Sequence, residues 1–166
     1  MLKGQDIVVL AALMDESRLD ESYADLGNRA CLSVSETHAA VRRLQESSLI
    51  NLNKRVLKGN AKEFLTHGLR YAFPLKSAGK MAKGLPTSYA APVARGEFAV
   101  TGLSPVWCSY DGDAYGQAFE PLYSSAPKAA ANDSKIYDCL AIFDMLRGGR
   151  LRERKFAENK LSEILG

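Results

Sequence analysis

Apolar positions recur at helical spacing over most of this chain, with one interruption near its middle. Ile7, Val8, Leu10, Ala11 and Met14 predict a first helix over residues 5–15. Residues 18–21 are a polar connection, and 22–30 read as a second helix with Tyr23, Leu26 and Ala30 inward. A turn at 31–33 follows. Thr37, Val41 and Leu44 then recur at i, i+4, i+7, one buried stripe of a third helix over about 35–47. Ser33 or Ser35 is placed to cap it, because a short side-chain oxygen there accepts from the first free backbone N–H groups. Leu49 and Ile50 lead into an extended segment over 51–57, and a fourth helix over 60–72 carries Phe64, Leu65, Leu69 and Ala72. Pro74 stops it.

Residues 76–84 are a tip rich in lysine and glycine, with Lys76, Lys80 and Lys83. Residues 105–110 read as a strand and 115–123 as its hairpin partner, joined by Asp111-Gly112-Asp113-Ala114, a sequence that tight hairpins favour. Two helices close the chain. The first, over 134–146, aligns Ile136, Leu140 and Phe143, and Gly148-Gly149 ends it. The second, over 150–165, aligns Ala157, Leu161, Ile164 and Leu165. The predicted class is α+β, mainly α, in two parts: 1–73, and 74–166 with a β-hairpin region and a C-terminal helical pair. That pair is a candidate dimer or partner-binding element, with packing inside the monomer the equal alternative.

Charge sharpens this picture. The net charge is only +3, but the basic groups are clustered. The first fifty residues hold five Lys/Arg against eight Asp/Glu, the next fifty nine against two, and the rest eight against nine. A basic middle segment suits a phosphate-binding surface, and a solvated loop explains it equally well. Arg147, Arg150, Arg152, Arg154 and Lys155 form a second cluster, read first as a solvated helix start and otherwise as a phosphate or acidic-partner contact. The three cysteines, Cys31, Cys108 and Cys139, are odd in number and form no C-x-x-C pair, which argues against a disulfide framework or structural zinc and predicts a cytoplasmic setting. No apolar run has the length of a membrane span, and no export signal is read.

The segment Leu32-Ser33-Val34-Ser35-Glu36-Thr37-His38-Ala39-Ala40-Val41-Arg42-Arg43-Leu44-Gln45-Glu46-Ser47-Ser48-Leu49-Ile50 resembles the recognition helix of winged helix-turn-helix transcription regulators of the MarR type. Their pattern is L-x-x-S-x-x-x-V-x-x-L-E-x-x-G-L-I, and Leu32, Ser35, Val41, Leu44, Leu49 and Ile50 fall into register, with Ser22-Tyr23-Ala24-Asp25-Leu26 like the preceding helix. Ser48 stands where glycine is usual, and Cys31 near the tight-turn glycine. The match covers about a third of the chain. The C-terminal half resembles uncharacterised bacterial regulators. The resemblance implies an N-terminal winged helix-turn-helix, double-stranded DNA as partner, and a homodimer reading half-sites roughly 34 Å apart.

On that reading Arg42 and His38, four residues apart, face base edges, Arg42 as a bidentate guanine contact. Ser35 meets a phosphate, Glu36 a cytosine amino group, and Arg43 the backbone. Two segments compete for the basic wing: a displaced loop carrying Lys76, Lys80 and Lys83, and a shortened one carrying Lys54 and Arg55. The alternative function is a winged-helix protein-interaction module, or an antitoxin-like autorepressor that binds DNA and a protein together. No enzyme, cofactor or metal is expected. Asp111, Asp113 and Glu120 lack the further oxygen ligands of a calcium loop, and residues 79–84 lack the Lys-Ser/Thr of a phosphate-binding loop. Tyr71, Phe73, Trp107 and Tyr110 would line a small apolar pocket, though aromatic side chains on strands more often form core.

Overall fold

A computed structural model describes residues 1–76, 79–100 and 102–166. The fold is α+β and mainly helical. Helices α1 (Gly4–Leu13), α2 (Tyr23–Ala30) and α3 (Val34–Glu46) open the chain, with a 3-10 turn at Glu16–Arg18. Helix α4 (Lys58–Glu63) runs through a π-helical stretch (Phe64–Gly68) into α5 (Leu69–Ala72). Strands β1 (Met81–Pro86), β2 (Pro105–Cys108) and β3 (Ala114–Ala118) follow, with 3-10 turns at Ser88–Ala90 and Pro92–Ala94. Helices α6 (Ala126–Asn132), α7 (Ser134–Gly148) and α8 (Leu151–Leu165) complete it. No helix among the described residues is long and apolar enough to cross a membrane.

Two helices organise the core. From Ile7 to Ala12, α1 is at most 1% exposed on every side, and in α7 Ile136 and the run from Leu140 to Leu146 are equally buried. A helix apolar all round must sit inside. Helix α1 lies between the α2–α3 pair and α7, and α7 in turn packs on α5, α6, α8 and the 3-10 turns after β1. One apolar core therefore runs from α1 through α8 among the described residues, on both sides of the boundary expected near residue 73. The same burial accords with the alternative of packing inside the monomer for the C-terminal pair. Ile136, Leu140, Phe143, Ala157 and Leu161 are at most 1% exposed within the monomer, so the C-terminal stripes are consumed by the chain's own core.

The strand region departs from the expected hairpin. β1 pairs antiparallel with β3 through Met81–Gly84 and with β2 through Gly84–Pro86, so β2 and β3 run parallel and the three strands close on themselves. A two-residue hairpin turn of the Asp-Gly kind uses left-handed backbone, and Gly112 is not left-handed. Its missing side chain serves another purpose: a Cβ there would lie 2.1 Å from the Gly84 carbonyl carbon. Ser77 and Ala78 of the predicted loop tip lie outside the described residues.

The aromatic pocket does not assemble. Trp107 is buried, whereas Tyr71 and Tyr110 are exposed. The predicted helices hold to within two residues, but α6 has no counterpart among them, and residues 81–84 of the predicted loop tip belong to β1. One exposed helical position offers a stability test. A Cβ at Gly59 in α4 would meet nothing within 4 Å, so Gly59→Ala is expected to stabilise the protein by about 0.5–1 kcal/mol in urea unfolding, the backbone entropy and exposure that glycine costs a helix.

Candidate nucleic-acid interface

Helix α3 begins with a reciprocal cap. Ser33 Oγ accepts from the Glu36 amide at 3.1 Å, and Glu36 Oε2 accepts from the Ser33 amide at 2.8 Å. These bonds hold the Glu36 carboxyl below its ordinary pKa. They also occupy the group expected to meet a cytosine. Thr37, Ala40, Val41 and Leu44 are at most 1% exposed. The close crossing of α2 beneath them depends on Gly27, where a Cβ would come within 2.7 Å of Thr37 Oγ1 and 2.9 Å of the Leu32 carbonyl.

The opposite face is open, with Ser35, His38 and Arg42 all exposed. The His38 ring stacks on Tyr23 of α2, centroids 3.7 Å apart and planes 17° from parallel. Lys54 Nζ lies 4.7 Å from the centroid of the same Tyr23 ring and donates to the Glu21 carbonyl at 2.8 Å. Tyr23, expected as a core residue, is thus half-buried at the edge of this face. Its outward part was not legible, because a stack across two helices leaves no periodic signal.

The segment after α3 is a tight turn closed by a single antiparallel bridge between Ile50 and Val56. Asn51 Oδ1 accepts from the amides of Asn53 and Arg55 at 2.9 and 3.0 Å, which lets Lys54 take a left-handed backbone at φ 61°. This turn carries the shortened basic candidate, Lys54 and Arg55, directly beside α2 and α3. Lys83 lies on β1 and Lys80 just before it, whereas α3 packs on α1 and α2.

Several of the expected DNA contacts are already paired. Arg43 grips the fully buried Asp6 with two bonds of 2.7 and 2.8 Å, and that carboxylate raises its pKa further. Its guanidinium serves to join α3 to α1, so Arg43 leaves the candidate set. Arg42 Nε meets Glu46 at 2.9 Å, Arg55 meets Asp20 at 3.1 Å and Lys76 meets Glu120 at 3.4 Å. The Arg42 pair is 80% and 56% exposed, a contact that water and salt readily break. Lys80 and Lys83 are exposed and have no carboxylate within 4 Å among the described residues.

Asp111, Asp113 and Glu120 do not form a metal centre, and among the described residues no three His, Cys, Asp or Glu side chains are grouped to hold an ion. Compared with known protein families, curated proteins and solved structures, the chain matches none.

Proposed function

We propose that the chain is a sequence-specific DNA-binding regulator that reads duplex DNA through the outer face of α3. The observation that carries this reading is the two-sided character of that helix. Its inner stripe is fully buried on α1 and α2, while Ser35, His38 and Arg42 project together from an uncovered face. A major groove about 12 Å wide admits one such helix. Two backbone conformations add support. Cys31 and Ser48 occupy the positions near which the helix-turn-helix pattern carries glycine, and both adopt φ of 55°, the left-handed region that glycine serves. The turn after α3 stands where a wing follows the recognition helix, so Lys54 is the favoured phosphate contact. A symmetric dimer would need a surface other than the α7–α8 stripes.

Selection of bound fragments from random duplex DNA tests this directly. An enriched sequence is expected, and Arg42→Ala should relax it at one base position by about 1–3 kcal/mol. Lys54→Ala should weaken all sequences alike and lower the salt slope by about one, with Lys80→Ala having the smaller effect. A pool that emerges without enrichment, and binding that ignores salt, would reject the proposal.

One observation favours a second reading, a protein-interaction module on the same helices. Two of the cations around α3, Arg42 and Arg55, are matched by Glu46 and Asp20 and so project little net field. A protein partner that stays bound through nuclease treatment, together with a failed DNA selection, would establish it.

A further inference from the structure

The barrel and α7 meet at a buried carboxyl. Asp144 is 1% exposed, and its Oδ2 accepts from Thr87 Oγ1 at 2.7 Å and from Trp107 Nε1 at 2.8 Å. Its other oxygen has no hydrogen-bond partner. Arg147 Nε, one helical turn on, lies 3.7 Å away and is likewise without one. Arg147 is turned toward the Glu120 carbonyl and the Phe119 ring instead. The ion pair is therefore incomplete.

Beside this junction sits a strained backbone. Ser88 is 3% exposed and holds φ at 52°, a conformation costly for a non-glycine residue and kept only where the surroundings fix it. Its neighbour Thr87 is tied on both sides, by its hydroxyl to Asp144 and by its amide to the Pro105 carbonyl at 3.0 Å. A cleft of about 280 Å³ lined by Ser88, Phe119 and Gly148 lies at the same seam.

We propose that Asp144 is a proton-operated latch, which clasps the barrel on α7 while its carboxyl is neutral and loosens when it ionises. Two neutral donors and a guanidinium 3.7 Å off return less to a buried negative charge than water does. The charged groups around it come from few directions. Arg147 acts on it directly, Glu120 and its partner Lys76 act behind Arg147, and Tyr137 spends its hydroxyl on the Pro86 carbonyl at 2.6 Å. On the other packed elements, Asp6 of α1 is paired with Arg43 and Glu153 of α8 caps its own helix.

Burial moves the Asp144 carboxyl up to about 6, with Arg147, Thr87 and Trp107 only partly offsetting it. An undocked barrel returns it to water and to the ordinary 3.8. The docked form therefore holds the proton more tightly, and docking strengthens as pH falls through about 6. The displacement of about two units corresponds to a change of roughly a hundredfold in the docking equilibrium.

Trp107, the only tryptophan, reports on its own partner. Its emission in the intact protein is expected to titrate with a midpoint near 6, alongside loss of the protonated-carboxyl infrared band. Asp144→Asn should abolish both titrations. Thr87→Val, which removes one donor but keeps the acid, should move the midpoint upward. A wild-type protein with flat profiles would overturn the latch, as would an unchanged midpoint in Thr87→Val or an undiminished titration in Asp144→Asn.

Discussion

Replacing Arg29 with methionine is expected to destabilise the protein by about 3–5 kcal/mol, read from urea unfolding, the range seen when one partner of a buried ionic network is removed. Arg29 is 9% exposed on its side chain and holds three carboxylates from separate parts of the chain. Its contacts are Glu21 at 2.5 Å, Asp133 at 3.2 Å and Asp15 at 3.5 Å. Asp133 is the N-cap of α7, so this guanidinium fastens α2 to the end of α1 and the start of the central helix. Methionine fills similar volume but leaves Glu21 and Asp133 without their counter-charge, while Asp15 keeps Lys135. Lysine would keep the charge and lose the fork that reaches three acids at once, so Arg29→Lys should recover only part of the loss.

Acid should act on the same hub. Burial alone would raise the Asp15 pKa, but bonds from Ser17 and Lys135 outweigh it and lower it to about 2. Asp133 is also lowered, its burial outweighed by bonds from the Ile136 amide and Arg29. A carboxyl with a depressed folded-state pKa stabilises the protein above its unfolded value, and that contribution fades as pH falls through the folded one. The hub therefore weakens between about pH 4 and pH 2, whereas the Asp144 junction tightens below about 6. The two act in separate pH windows.

Every helix but α6 was legible, because each rests on local information. Thr37, Val41 and Leu44 repeat at the helical period, and Ser33 with Glu36 spells its own cap. The centrality of α7 was also written in the chain. Ala141, Ile142, Met145 and Leu146 surround the Ile136-Leu140-Phe143 stripe, so a helix read as amphipathic is buried on all sides, Asp144 included. Long-range pairing was not legible. Arg43 and Asp6 stand 37 residues apart, and an exposed-looking arginine beside Arg42 gives no local sign of a buried acid on α1. The candidate interface was legible in part: the α3 face followed from periodicity, whereas the Tyr23–His38–Lys54 stack required the fold.

Gly84→Ala is expected to cost about 3 kcal/mol and to open the strand region selectively, at the upper end of what overfilling a well-packed site costs. A Cβ at Gly84 would lie 1.7 Å from the Trp107 carbonyl oxygen and 2.6 Å from its carbon. Both are backbone atoms, so no side-chain rotation relieves the overlap. Gly84 is the residue at which β1 changes partners, pairing with Cys108 of β2 and with Ala114 of β3. Gly112 presses on it from the intervening turn, and Gly116 would meet the Ser104 carbonyl at 2.0 Å. Three strands can close on themselves only if their backbones come this near, and glycine at these points permits it. The lesion should therefore be local. Amide exchange in β2 and β3 should accelerate and Trp107 should become accessible to quenchers, while α1 to α3 keep their protection. Equal loss of protection in α3 would mean that the barrel and the helices unfold as one unit.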